Sequence, residues 1–106
     1  MVKIPDEILE SIYKFRDSVA SIVNIEKIFL YGSYAKGTYN INSDIDVCII
    51  AKETGNSYLL SREITRKIIY TDNRIEPVVF LSTDYYDNEP RGLLREIKEH
   101  GIEIHV

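Results

Sequence analysis

The sequence predicts an α/β (α+β) fold in which a short mixed β-sheet is flanked by helices. Two short apolar runs, residues 28–31 and 47–50, are typical of strands that are covered on both faces. Other segments repeat apolar residues every three or four positions, as amphipathic helices do. The two kinds of segment alternate along 106 residues, a length that predicts one domain over residues 1–106.

The first helix is predicted to begin near Pro5, because proline favours the first helical turn and two acidic residues follow it. A first strand is then expected over residues 27–31 and a second over residues 44–50. The polar residues 52–57, which include Gly55, are expected to form a connection. The apolar stripe of the first helix consists of Ile8, Ile12, Phe15, Val19 and Ile22.

A second helix is predicted from Leu60, Ile64 and Ile68, which recur at helical spacing. Its other face is basic, and such a face is either solvated or a contact for a partner; the sequence leaves both open. The side chains predicted to be exposed there are Arg62, Arg66 and Lys67.

The remaining chain predicts a third strand over residues 74–81, a polar loop over residues 82–89, a last helix and a final edge strand over residues 102–106. Pro77 lacks an amide hydrogen and therefore favours an edge position for the third strand. The last helix is predicted to begin at Pro90 and to be capped by Gly101. The residues predicted to face inward from it are Leu93, Leu94 and Ile97.

Composition and charge restrict the classes of function. The net charge of −4 argues against general nucleic-acid binding, which requires a basic face. No apolar run approaches the length of a membrane span and no signal-peptide pattern is present, so a cytoplasmic location is expected. Cys48 is the single cysteine and is predicted to be a small core residue.

The turn after the first strand has the composition of a phosphate-binding turn. Gly32 and Ser33 follow the strand, residues 34–36 can form one helical turn, and Gly37 can cap it in a left-handed conformation. Backbone amides at the start of such a turn suit phosphate oxygens. The alternative is a tight connection between two strands without a ligand.

Acidic residues stand at the head of the second strand. Asp44 and Asp46 are two positions apart, so in an extended strand they share a face with α-carbons about 6.5–7 Å apart. Carboxylates beside a phosphate site are complementary to Mg²⁺ and a nucleoside triphosphate. Glu76 joins them only if the third strand neighbours the second, and the alternative for Asp46 is a side chain that simply points to solvent.

The combined motif resembles a known signature. Gly32-Ser33-x-x-x-Gly37, followed by Ser43-Asp44-x-Asp46 and an apolar run, resembles the polymerase-β-type nucleotidyltransferase superfamily. Glu76, between Ile75 and Pro77, lies where that family has its third carboxylate. The tail also resembles the end of small stand-alone members. The chain is most similar to the minimal nucleotidyltransferases (MNT proteins), which are commonly encoded beside a HEPN-domain partner.

The resemblance implies a polymerase-β-like nucleotidyltransferase fold, ATP or another nucleoside triphosphate as substrate, and two Mg²⁺ ions. It implies that the catalytic and metal-binding residues are Asp44, Asp46 and Glu76, with Glu76 helping to activate the acceptor. It implies that the nucleotide-binding residues are Gly32, Ser33, Lys36, Gly37 and Ser43. Many MNT antitoxins have arginine where this chain has Lys36, which presents a point charge without the bidentate fork.

The predicted function is Mg²⁺-dependent transfer of AMP from ATP to a hydroxyl group. By resemblance, the acceptor is a tyrosine of a HEPN-type toxin, which would make the chain a modifying antitoxin. One alternative is a binding module that neutralises its partner by contact, for which the eight tyrosines and an exposed loop at Tyr85 and Tyr86 would provide an interface. Another is adenylylation of a small molecule. The base preference, the acceptor and a homo-oligomeric state are left open.

Overall fold

The computed structural model describes residues 3–52, 57–87 and 89–105. A 3₁₀ turn, Lys67–Tyr70, directly continues the third helix. The helices and strands in chain order are α1 Asp6–Ala20, β1 Ile25–Tyr31, α2 Ser33–Lys36, β2 Ile45–Ala51, α3 Ser57–Arg66, β3 Ile75–Leu81, α4 Ser82–Tyr85, α5 Gly92–His100 and β4 Ile102–Ile104.

The four strands form one mixed sheet in the order β3-β2-β1-β4. β1 is antiparallel to both β2, the next strand along the chain, and β4, the last strand. β2 and β3 are parallel, and α3 lies in the connection that a parallel pair requires. The short mixed sheet flanked by helices is therefore confirmed. The third strand is indeed at an edge, where Pro77 can be accommodated.

The two faces of the sheet are covered unequally. One face packs against α1 and α3 through aliphatic residues such as Ile12, Val47 and Ile64, each without exposed surface. Along β2 the side chains alternate between the faces, so Cys48 and Ile50 point to the other side. There they meet a smaller cluster contributed by α5. The buried residues of that second cluster are Phe29, Cys48, Ile50, Leu94 and Ile97.

Some predicted helical faces were wrong at their ends. α1 stops at Ala20, and Ile22 lies in the following turn, where its amide donates to the Val19 carbonyl (2.9 Å) and its side chain is 37% exposed. Leu93 is 39% exposed, because Leu94 and Ile97 occupy the inner face of α5 and Leu93 is rotated away from them. Lys67 is half-buried in the 3₁₀ turn, whereas Arg62 and Arg66 are exposed as predicted.

Other boundaries also differ from the prediction. Residues 82–89 are not simply a loop, because they contain α4 and Tyr85 is half-buried, with the Lys98 ammonium 4.5 Å from its ring centroid. Tyr86 is exposed. α5 begins at Gly92 rather than at Pro90. Gly101 caps α5 as predicted: its amide donates to the Ile97 carbonyl (2.8 Å) with φ −70°, and a β-carbon there would lie 2.6 Å from the Ile97 carbonyl oxygen.

The predicted connection around Gly55 and the end of the final strand at residue 106 lie outside the described residues. Within the described residues, no helix is long and apolar enough to cross a membrane. Cys48 is fully buried, as predicted.

Candidate active site

The register of β2 and β3 brings two of the predicted acids side by side. Asp46 is the second residue of β2 and Glu76 the second residue of β3, and they are direct partners in the parallel pair. Partner residues on adjacent strands point to the same face and are separated by about the strand spacing, about 4.8 Å. Both acids point to the α5 side of the sheet; Asp46 is half-buried and Glu76 is exposed. The condition on which Glu76 depended, adjacency of the two strands, is met.

Asp44 was predicted to lie in the second strand, but β2 begins at Ile45 and Asp44 is exposed just before it. It nevertheless contributes to the electrostatics of the site. The pKa of Asp46 is raised above its ordinary value, first by partial burial and then by the negative charges of Asp44 and Glu76. Within the described residues, no side chain donates a hydrogen bond to Asp46 and no cation pairs with it. The part of the chain that the structure describes leaves this carboxylate uncompensated.

Gly32 is required by the position of Asp46. It has φ 73°, a conformation that residues with a β-carbon rarely adopt, and a β-carbon added to it would overlap Oδ2 of Asp46. The close neighbour of Gly32 within the described residues is the carboxylate of Asp46, so the turn and the acid are fitted to each other.

The turn after Gly32 has the predicted form. Ser33–Lys36 makes one helical turn, and Gly37 caps it with φ 77° and ψ 13°, the left-handed conformation. The Lys36 amide donates to the Gly32 carbonyl and the Thr38 amide to the Ser33 carbonyl, both at 3.0 Å. Amides in the first turn of a helix have no partner within that helix, so those at its start are available to a ligand. A phosphate-binding role for Gly32, Ser33 and Gly37 remains a prediction.

Two of the predicted nucleotide-binding side chains already have partners within the chain. The Lys36 ammonium lies 3.1 Å from Oε1 of Glu96 on α5. Oγ of Ser43 accepts a hydrogen bond from the Asn40 amide at 2.8 Å, which closes the loop that leads to Asp44. Ser43 thus shapes the approach to the acids, and its contact with a nucleotide remains a prediction, as does that of Lys36.

Tyr31 and Glu96 were missed by the sequence prediction. Tyr31 is the antiparallel partner of Asp46, so its side chain adjoins the acids on the same face. Partial burial, together with the negative charge of Asp46, raises the pKa of Tyr31 to about 12, and Glu96 contributes to that rise. The position of Tyr31 directly before Gly32 could have suggested it, since an antiparallel register would pair it with the head of β2. Nothing in the sequence pointed to Glu96.

The acids suit a divalent cation in ligand type and charge. They are oxygen donors, they repel one another, and no described cation neutralises them, which is the donor chemistry that Mg²⁺ uses. Within the described residues, however, no group of three or more His, Cys, Asp or Glu side chains is arranged to hold one ion. Asp46 and Glu76 are brought together and Asp44 lies outside the strand, so the three-residue ligand set remains a prediction.

Comparison with known proteins shows the family of the chain. The sequence profile of the nucleotidyltransferase domain family matches residues 12–104. A provisionally named protein adenylyltransferase of Methanocaldococcus jannaschii is 27% identical over 103 residues, which cover 92% of this chain and 99% of that protein. The protein adenylyltransferase MntA of Shewanella oneidensis is 44% identical over 34 residues, 32% of this chain and 24% of that protein.

Solved structures show the same fold. A provisionally assigned nucleotidyltransferase from Sulfolobus solfataricus superposes with a TM-score of 0.65 at 21% identity, over 91% of this chain and 78% of that chain. A toxin–antitoxin structure with AMP-PNP superposes with a TM-score of 0.57 at 24% identity, over 90% of this chain and 70% of that chain. Because the family profile spans most of the sequence, the chain belongs to the nucleotidyltransferase domain family.

Proposed function

We propose that the chain transfers AMP from ATP to a hydroxyl group of a partner protein and releases pyrophosphate. The observation that carries the proposal is the in-register pair of Asp46 and Glu76 beside the Gly32–Ser33 turn, with no cation of the described chain to neutralise it. An acid pair that the described residues leave uncompensated is complementary to the magnesium form of a nucleotide. The names of the two curated relatives, both protein adenylyltransferases, support AMP and a protein acceptor.

In the proposed reaction the acceptor oxygen forms a bond to the α-phosphorus, and the bond from that phosphorus to the bridging oxygen of the β-phosphate breaks. Pyrophosphate leaves with that electron pair. The exposed Glu76 is accessible to an acceptor and takes the proton of its hydroxyl group. Two Mg²⁺ ions held by Asp44, Asp46 and Glu76 would neutralise charge on the phosphates. Gly32, Ser33, Lys36 and Gly37 would hold the triphosphate, and Ser43 would fix the loop before Asp44.

The proposed acceptor is a tyrosine of a HEPN-type toxin encoded beside this chain. The toxin–antitoxin complex among the structural neighbours supports a partner of this kind. A protein acceptor is favoured over a small molecule because Glu76 lies on the edge strand β3 and is exposed, so a large substrate can reach it.

The test combines the protein, the product of the neighbouring gene, Mg²⁺ and ATP labelled at the α-phosphate. We expect label on the partner, and loss of label with Asp46→Asn or Glu76→Gln. Asp17→Asn is the matched control, because it removes one exposed aspartate charge from α1 and should label as the wild type does. No labelled partner, or full labelling by Asp46→Asn, would contradict the proposal. Competition with GTP, CTP and UTP would define the base preference.

A second candidate function is neutralisation of the partner by contact alone. It is favoured by the observation that the three acids do not form one ligand group in the described residues. The two functions separate in a protection assay, in which the triple variant with Asp44, Asp46 and Glu76 all neutralised is expressed with the toxin. Protection by that variant would support contact alone, and loss of protection while binding persists would support transfer.

A further inference from the structure

α5 carries an acidic residue to the rim of the proposed nucleotide site. Leu94 and Ile97 are buried against the sheet face to which Asp46 points, which fixes the helix beside the acids. Glu96, between them in sequence, is exposed toward the turn that follows Gly32. Its Oε1 lies 3.1 Å from the ammonium of Lys36, a residue 60 positions away in the sequence. The pair therefore joins two separate parts of the site.

The ion pair of Lys36 with Glu96 differs from the other charged groups of the site. Asp44, Asp46 and Glu76 have no cationic partner within the described residues, whereas Lys36 is paired with Glu96. The negative charge of Glu96 also acts on Tyr31, the strand partner of Asp46, because it contributes to raising the pKa of Tyr31. A basic side chain next to a phosphate-binding turn is thus held by an acid outside the catalytic group.

We propose that Glu96 is a positioning residue that holds the Lys36 ammonium in the free protein. Glu96 thereby lowers nucleotide affinity, because the triphosphate must replace Glu96 as the partner of Lys36. This inference rests on the proposed function, since it requires that a triphosphate binds at the Gly32–Lys36 turn. Both side chains are about half exposed, so the pair is weak and Lys36 can turn from Glu96 to a phosphate. After transfer, return of Lys36 to Glu96 favours release of pyrophosphate.

The inference predicts a gain of affinity when the acid is removed. Glu96→Gln should bind Mg²⁺–ATP about 2- to 5-fold more tightly by isothermal titration calorimetry, the range that an exposed ion pair can supply. Adenosine, which has no phosphates, should bind wild type and variant equally. In a Lys36→Gln background, the change from Glu96 to glutamine should produce little of this gain, since there is no ammonium to release.

Glu99→Gln is the matched control. Glu99 is on the same helix, pairs with Arg95 rather than with Lys36, and its removal changes the net charge equally. The inference is overturned if Glu96→Gln binds ATP no more tightly than wild type, if Glu99→Gln gives the same gain, or if adenosine binding rises in parallel. If wild type binds no Mg²⁺–ATP at all, the proposed function fails together with the inference. If wild type binds Mg²⁺–ATP and Glu96→Gln binds it with the same affinity, the inference is refuted and the proposed function is not.

Discussion

Asp46 and Asp72 are both partly buried aspartates near the starts of β2 and β3, yet their surroundings are opposite. The carboxylate of Asp72 accepts hydrogen bonds from the Ser11 hydroxyl (2.9 Å) and from Nε and Nη2 of Arg74 (3.0 and 2.7 Å). These bonds, those from Arg74 above all, lower the pKa of Asp72. Asp46 faces Glu76 and Asp44, and its pKa is raised.

The difference separates an acid that the described residues satisfy from one that they do not. Asp72 is satisfied by the chain and ties the turn before β3 to α1. Asp46 has no such donor among the described residues, and a buried or half-buried carboxylate without one is destabilising unless a ligand supplies the charge. The two aspartates thus differ in whether the described residues compensate their negative charge.

The largest expected effect is on catalysis. Asp46→Asn should lower the rate of AMP transfer about 100-fold or more, because a lost metal ligand removes several kcal/mol of charge stabilisation. Asp72→Asn should retain most of the wild-type rate at a temperature where it is folded. The measurement is the initial rate of transfer to the partner, and equal losses in the two variants would break the distinction between the two aspartates.

Gly32→Ala should be the next largest change. Residue 32 has φ 73° and ψ −149°, a conformation that is essentially restricted to glycine and costs about 1–3 kcal/mol for a residue with a β-carbon, and the overlap with Asp46 adds to this cost. Gly92→Ala is the matched control, because Gly92 also has a positive φ (56°) but no atom lies within 4 Å of an added β-carbon. Denaturant unfolding and transfer rates should show that only Gly32→Ala loses activity. If both variants lose the same stability and the same activity, Gly32 is required only for its backbone conformation and not for its contact with Asp46.

Asp72→Asn should lower the free energy of unfolding by about 1–3 kcal/mol at pH 7, because bonds to a charged acceptor are lost. The folded pKa of Asp72 lies below the unfolded value, so its contribution is present above about pH 4 and is lost as the pH falls further. The wild type and the variant should therefore converge in stability in acid. A difference that stays constant down to pH 3 would contradict the role assigned to Asp72.

The smallest effect compares the two faces of the sheet. Ile12→Val on α1 and Ile97→Val on α5 should each cost about 0.5–1.5 kcal/mol of unfolding free energy, since both side chains are fully buried. Only Ile97→Val should also change the affinity for Mg²⁺–ATP, because α5 carries Glu96 to the site. Urea unfolding and calorimetry measure both quantities, and an equal change of affinity in both variants would remove the functional distinction between the faces.

Structural features that depend only on the spacing of nearby residues were predicted correctly from the sequence. The helical turn and left-handed Gly37 follow from residues 32–37 themselves, and Pro77 indicated the edge position of its strand. The ends of the apolar stripes were wrong at Ile22 and Leu93, because periodicity does not show where a helix stops or which of two adjacent leucines faces inward.

Contacts between distant segments could not be predicted in this way. The pairing of Asp46 with both Tyr31 and Glu76 depends on the order and register of three strands. The contact of Glu96 with Lys36 depends on how α5 packs across the sheet, which no local pattern specifies. The sequence offered Glu76 only on the condition that the two strands were neighbours, and the family resemblance gave it a role; neither indicated Tyr31 or Glu96.

The central claim is the proposal that Asp46, which the described residues leave uncompensated, is compensated by a metal-bound nucleotide. The most direct test measures the free energy of unfolding of wild type and Asp46→Asn, with and without Mg²⁺–ATP. Without ligand, Asp46→Asn should be more stable by about 0.2–1 kcal/mol at pH 7, because the directly opposed negative charge is removed. With ligand at 100 times its Kd, wild type should gain about 2.7 kcal/mol and the variant almost nothing. A variant that is less stable without ligand, or that gains as much as wild type with it, would contradict the claim.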